Sequence, residues 1–260
     1  MIKLKTFGSF TVGNGLTSVQ EGAWRSEKLE KLFVYLAMNR NRGVCIEDIS
    51  EAIWQVEEET DNPVGALKNL AYRLRKALRD ASFGEECIVS VRGGLYKWND
   101  DVEVTIDVEE FDRYINEAEM AFCRSKETAI ESYEKAIALY HGDFLPLRTD
   151  THWFMTLNAF YHSRYVNTVK ALAKLYIDTG CYEKLEQLCT RAIVYERSDE
   201  QIYSYLIVAR MRTKKVQMAF DTYETARLLW TRILALERLS CSTRCMRSFY
   251  LSQRVLQATI

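Results

Sequence analysis

The segment from Asn62 to Asp80 carries cationic and hydrogen-bonding side chains at helical spacing. Its apolar residues recur every three or four positions and form one stripe of a predicted helix, made of Leu67, Leu70 or Ala71, Leu74 and Leu78. The remaining faces carry Lys68, Asn69, Tyr72, Arg73, Arg75, Lys76 and Arg79. Cationic groups neutralise phosphates and an asparagine amide can bond to base edges, so this side can recognise nucleic acid in a major groove. A surface helix with a solvated basic face is the alternative, and the stretch alone leaves both open.

Other predicted elements would position this helix. Two helices precede it, at Ser26–Asn39 and Ile46–Trp54, and Gly43 between them is a candidate left-handed residue. Asp61 or Asn62 can cap the start of the third helix, with Pro63 in its first turn. A β-hairpin follows at Cys87–Trp98, around Gly93-Gly94. The hairpin tip brings two more cations toward phosphates or a minor groove, Arg92 and Lys97.

The runs YRLRKAL and VSVRGGLYKW resemble the OmpR/PhoB-type winged helix, whose wing reads V-R-G-x-G-Y. Leu95 stands where that pattern has its second glycine, so the wing is expected to turn differently. Residues 2 to 12 alternate as a short β-meander, which is also a feature of that family. The resemblance implies an N-terminal winged helix-turn-helix over residues 1–100, made of the meander, three helices and the hairpin wing.

The loop from Gln55 to Asp61 is acidic and long for a helix-turn-helix connection. In the OmpR/PhoB-type family this loop is implied to touch RNA polymerase. The candidates for that contact are Glu57, Glu58 and Glu59. A solvated acidic loop without a partner explains the same composition.

Residues 101–260 are predicted to form a second, all-α domain after one short strand at residues 102–106. An internal repeat supports this prediction, since Ala129–Leu139 aligns with Ala219–Leu229. Leu185–Tyr195 fits the same frame and begins 34 residues before Ala219, which is the tetratricopeptide period. The predicted fold class is therefore mainly α with a small β part, ending in a tetratricopeptide-like domain.

A second resemblance rests on the order of these parts. Asp107 and Phe111, followed by YHGDFLP at Tyr140–Pro146, resemble the bacterial transcriptional activation domain of the Streptomyces antibiotic regulatory protein (SARP) family. That resemblance implies an activator that binds repeated promoter half-sites on double-stranded DNA and recruits RNA polymerase. A homodimer on DNA, or an effector in the helical domain, would be further partners. The run LERLSCSTRCM lacks the Gly and Pro with which the family usually closes, so the packing of the last helices stays open.

The composition argues against several other classes of protein. The 260 residues have a formal net charge of −1 and no apolar run near the roughly 20 residues that span a bilayer. The seven scattered cysteines favour a reducing cytoplasm over a disulfide framework. Cys241 and Cys245 lie one helical turn apart without a third ligand nearby. The three histidines enter no nucleophile motif, so we predict neither an enzyme nor a cofactor or metal site.

The alternative to a DNA-binding regulator is a binding module of another class. The tetratricopeptide-like half would take a peptide or small effector, and the winged helix would serve protein contact. The charge on the third helix separates the two hypotheses, because a protein-contact winged helix has no need of that cluster of cations.

Overall fold

A computed structural model describes residues 1–15, 17–20, 22–54, 62–83, 87–91, 94–146 and 151–232, excluding the side chains of residues 89–91. The chain divides into two compact units, Met1–Thr168 and Val169–Ile260. The described residues are mostly helical, with a small sheet and one β-hairpin. Within the described ranges no helix is both long and apolar enough to cross a bilayer.

The first unit begins with β1 (Ile2–Lys5), β2 (Thr11–Gly13) and β3 (Ser18–Gln20), followed by helices α1 (Glu27–Met38), α2 (Ile46–Ile53) and α3 (Pro63–Asp80). It continues with β4 (Ile88–Val91), β5 (Leu95–Trp98), β6 (Val104–Ile106), α4 (Asp107–Ala121) and α5 (Lys126–Leu139). The long helix α6 (His152–Thr179) starts in this unit and ends in the next.

The N-terminal strands form a four-stranded sheet of order β3-β2-β1-β6. The pairs β1–β2 and β2–β3 are antiparallel, as the predicted meander requires. The short strand predicted near residues 102–106 is present as β6 and runs parallel to β1, with Ile2 opposite Val104. The sheet therefore joins the first residues of the chain to the segment that leads into α4.

Helix α3 is amphipathic as predicted. Its apolar stripe is buried and consists of Leu67, Leu70, Ala71, Leu74 and Leu78. The Asn62 side chain caps the start, since its Oδ1 accepts a hydrogen bond from the Gly65 N–H at 2.9 Å. A Cβ on Gly65 would lie 2.8 Å from Asn62 Nδ2, so the glycine leaves room for this cap.

Truncation of Leu74 tests the buried stripe of α3. Leu74 is fully buried, so Leu74→Ala is expected to lower the free energy of unfolding by about 2–5 kcal/mol through reduced burial and a cavity. Urea denaturation measures this change. Lys68→Ala on the exposed side of the same helix is the control and should stay within about 0.5 kcal/mol of the parent. An unchanged urea midpoint for Leu74→Ala would contradict the packing described.

The β4–β5 hairpin lies against the segment that precedes α2. Val44 and Tyr96 exchange backbone hydrogen bonds of 2.8 and 2.9 Å, so β5 pairs with both β4 and residue 44. Gly94 turns the hairpin with a φ of +80°. Gly43 is not left-handed, which corrects the sequence prediction. A Cβ at Gly43 would lie 3.2 Å from Leu95 Cδ1, so the missing side chain lets Leu95 of β5 lie close without having to shift.

Phe7 packs the start of the chain against α4, the residue that follows α5, and α6. Its buried ring lies 5.3 Å from that of Phe111, 5.0 Å from that of Tyr140 and 5.7 Å from that of Tyr161. The Asp107 carboxylate accepts hydrogen bonds from the backbone N–H groups of Thr6 and Phe7 at 2.8–2.9 Å. The segment after β6 therefore completes the core of the first 100 residues.

The second unit contains α7 (Tyr182–Tyr195), α8 (Glu200–Arg212) and a further helix, α9, over residues 216–232. Helices α7 and α8 pack against each other. The small residue at the same position of each repeated segment is fully buried, at Ala136, Ala192 and Ala226. Small residues at these positions let neighbouring helices approach closely, as the predicted repeat requires.

Candidate nucleic-acid interface

The polar side of α3 lies in solvent. Six of the predicted DNA-binding residues are exposed, namely Lys68, Asn69, Tyr72, Arg73, Lys76 and Arg79. Tyr72 is 66% exposed, which is high for an aromatic side chain, and it presents a flat ring beside the cations. From Pro63 to Arg79 the helix carries no acidic residue, so its exposed side is cationic up to Asp80 at the last turn.

Arg75 is placed differently from the other cations of α3. It is half-buried, and its Nε donates a hydrogen bond to the backbone carbonyl of Ile88 at 3.1 Å. This bond ties α3 to β4, while the Val44–Tyr96 pair holds β5 on the side of α2. The hairpin is thus fixed beside α3 from two directions, which a sequence pattern does not reveal.

The remaining predicted site residues divide into two groups. Lys97 on β5 is half-buried and forms an ion pair with Asp100 at 2.5 Å, which offsets part of its charge. Arg92 and the loop residues Glu57, Glu58 and Glu59 lie outside the described residues. The cations that the structure brings together in solvent therefore come from α3.

Sequence reasoning missed the residues that hold the hairpin in place. Val44 and Tyr96 pair through their backbones, and Arg75 reaches a strand instead of solvent. The available signals were weak: Val44 directly precedes a predicted helix, and Tyr96 alternates with Leu95 and Lys97 in the hairpin pattern. These signals do not identify the partners, because Tyr96 lies 52 residues from Val44 and Ile88 lies 13 residues from Arg75 along the chain.

This arrangement suits non-covalent recognition of a duplex. A major groove is about 12 Å wide and admits one α-helix, whose exposed amide and ring can reach base edges. Guanidinium and ammonium groups on the same surface can bind the flanking phosphates. Within the described part of the chain, no three metal-ligating side chains lie together.

A known domain family matches the part of the chain that follows α3 and the hairpin. The profile of the bacterial transcriptional activator domain matches residues 106–248 of the chain. No curated protein sequence matches the chain. The match to the domain covers more than half of the chain and begins at the end of β6.

Two solved structures are similar to this one. The first is Mycobacterium tuberculosis EmbR in complex with a low-affinity phosphopeptide, at 19% identity and a TM-score of 0.67. The alignment covers 90% of this chain and 65% of the EmbR chain, so the two share a fold and this chain spans about two thirds of EmbR. The second is the second TPR of Spaghetti (RPAP3) bound to an HSP90 peptide, at 24% identity, a TM-score of 0.31 and coverage of 47% and 91% of the two chains. We draw no conclusion from that likeness.

Proposed function

Because the chain belongs to the bacterial transcriptional activator domain family, we propose that it is a sequence-specific regulator that binds double-stranded DNA. This is a family of transcription regulators rather than enzymes, and we propose that the chain is an activator of the SARP type. The observation that carries the DNA-binding proposal is the exposed, cationic side of α3 opposite its buried leucine stripe. We propose that residues 1–100 form a DNA-binding part and residues 101–260 an activation part.

In the proposed complex α3 enters the major groove as the recognition helix of a winged helix-turn-helix. Lys68, Asn69 and Tyr72 lie in its N-terminal half, which in such motifs reaches base edges. Arg73, Lys76 and Arg79 follow toward the C-terminal half and contact phosphates. Arg75 holds the β4–β5 hairpin beside the helix, and the hairpin carries Lys97 and Arg92 to the adjacent backbone.

The proposed activity needs more than one copy of the chain. A single small module buries only about 600–1,000 Å² on DNA. Useful affinity therefore calls for a homodimer on repeated promoter half-sites. RNA polymerase is the proposed second partner, through the acidic loop that contains Glu57, Glu58 and Glu59. Such a regulator acts in the cytoplasm, where bacterial promoters are.

Replacement of Asn69 tests base reading. Asn69→Ala is expected to relax sequence preference at one base pair and to weaken the preferred site by about 1–3 kcal/mol, since an amide can pair with one base edge. Selection of bound DNA from a random pool, followed by titration of the winning site, measures both quantities. Asn41→Ala, an exposed asparagine outside α3, is the control. If Asn69→Ala selected the parent sequence with parent affinity, Asn69 would have no role in base reading.

The same selection on the parent protein tests the function itself. We expect enrichment of repeated half-sites and a linear fall of log affinity with log salt, because phosphate contacts release counterions. Absence of any enriched sequence, with affinity independent of salt, would overturn the proposal. That result would favour the alternative, a peptide- or effector-binding module, because a module of that kind does not use the cations of α3.

A further inference from the structure

A cleft of about 460 Å³ opens between α1, α2 and the start of α6, away from the candidate DNA-binding residues. Its wall combines aromatic, acidic and polar side chains from Tyr35, Arg42, Asp48, Glu51, Ala52, His152, Trp153, Thr156 and Leu157. Clefts of about 300–1,000 Å³ with a few converging polar groups are the usual size for small organic ligands. None of the predicted site residues that the structure describes lies in its wall.

Tyr35 is a buried polar group that turns toward this cleft. Its side chain is only 4% exposed, and its ring meets the edge of Trp153 at 4.8 Å between centroids. Its hydroxyl makes no hydrogen bond to another described residue and is not one of the fully buried polar atoms that lack a partner, so the hydroxyl is open to the cleft. Burial raises the pKa of Tyr35, the carboxylates of Asp48 and Glu51 raise it further, and the guanidinium of Arg42 lowers it. The hydroxyl therefore lies among charges of both signs, with the carboxylates in excess.

The described wall of the cleft carries an excess of negative charge. Asp48 and Glu51 on α2 line it, and in the described part of the chain neither forms an ion pair. The opposing cation, Arg42, donates hydrogen bonds from Nε and Nη2 to Asn39 Oδ1 at 3.2 and 3.0 Å. His152 lies at the rim and is exposed. The cleft therefore favours a cationic ligand over an anionic one, because two unpaired carboxylates and two aromatic rings surround it.

We propose that this cleft binds a small organic cation, a primary ammonium attached to an aromatic or aliphatic body. The ammonium donates hydrogen bonds to the carboxylates of Asp48 and Glu51 and to the hydroxyl oxygen of Tyr35. The apolar body packs against the rings of Tyr35 and Trp153. The volume admits a ligand of this size, and the bound amine replaces solvent at the Tyr35 hydroxyl.

The same cleft connects the activation part to the helices in front of α3. Thr151, directly before α6, donates a buried hydrogen bond of 2.8 Å to the backbone carbonyl of Ala52 near the end of α2. Helix α2 packs in turn against α3. A ligand held between α2 and α6 therefore biases the placement of α2 and, through it, the affinity of α3 for DNA. This consequence rests on the proposed function, whereas ligand binding itself does not.

Calorimetry on the full chain tests the ligand site. The probes are phenethylammonium and n-hexylammonium, and 3-phenylpropanoate is the matched anion with a similar body. We expect saturable binding of at least one ammonium, and at least about tenfold weaker binding of the anion because like charges repel. Asp48→Asn with Glu51→Gln should weaken the ammonium about tenfold, and Tyr35→Phe about three- to tenfold.

Glu47→Gln is the control, because Glu47 is an exposed carboxylate of α2 that does not line the cleft. Its affinity should stay within about twofold of the parent. Thermal unfolding without ligand checks that each variant is folded. If Asp48→Asn destabilises the start of α2, Glu51→Gln alone replaces the double variant in the titration. Equal binding of anion and cation, no saturable binding at millimolar concentration, or parent affinity in the doubly substituted variant would each overturn the site.

DNA titration with and without the ammonium tests the link to α3. We expect the half-saturating DNA concentration to shift by at least about threefold, and the ammonium affinity to shift by the same factor when DNA is present. The doubly substituted variant should show no shift. If the ammonium bound without changing the DNA affinity, the proposed coupling to α3 would be wrong, but the ligand site would still stand. If the chain bound no DNA, the proposed function would be wrong. The ligand site would then be tested by the calorimetric titrations alone.

Discussion

Phe7→Ala is expected to lower the free energy of unfolding of residues 1–168 by about 3–5 kcal/mol. The ring is 3% exposed and lies within 6 Å, between centroids, of the rings of Phe111, Tyr140 and Tyr161. Its removal leaves a cavity among aromatic groups whose edge-to-face contacts add to the destabilisation. Chemical denaturation measures the change, and Phe122→Ala, at 49% exposure in the same unit, should cost less than about 1 kcal/mol.

The same variant tests whether the first 100 residues and the helices that follow them unfold together. Hydrogen exchange of backbone amides reports stability by region. Protection in α3 and in α4 should fall by the same free energy in Phe7→Ala, because Phe7 joins the two regions through its ring contacts. Reduced protection confined to α4, with α3 as stable as in the parent, would contradict a single cooperative unit.

Joint replacement of Arg73 and Lys76 by alanine is expected to weaken DNA binding by about 30- to 1,000-fold, since each charge-assisted phosphate contact contributes about 1–2 kcal/mol. All sequences should be affected alike, in contrast to Asn69→Ala. The slope of log affinity against log salt should fall by about 1.8, or 0.9 for each phosphate that the variant no longer neutralises. Titration of one selected and one unrelated duplex at several salt concentrations measures these changes.

The control is a variant from which the same charge is removed elsewhere. Lys3 and Lys5 are exposed lysines on β1, outside α3 and the hairpin. Their joint replacement by alanine should change the affinity by less than about threefold and leave the salt slope close to the parent value. If affinity and slope fell equally in both double variants, binding would reflect the overall charge of the protein and α3 would not be the contact surface.

The local features of the site follow from the sequence. The two faces of α3 arise from the spacing of four leucines, and the Asn62 cap and the buried alanines of the repeat depend on neighbours within a few turns. Periodicity and capping act over such short separations, so a pattern is enough to predict them. The prediction for Gly43 was wrong because glycine can serve two needs, a positive φ or a missing Cβ, and only the position of Leu95 shows which applies.

The sequence by itself therefore determined which residues lie on the polar side of α3 and where helical repeats begin. The tertiary structure decided that Arg75 reaches Ile88, that Phe7 and Asp107 join residues a hundred positions apart, and that α2 and α6 enclose an acidic cleft around Tyr35. These contacts bring together segments with no shared period. Their partners are set by the packing of the whole unit, which leaves no trace in the spacing of residues along either segment.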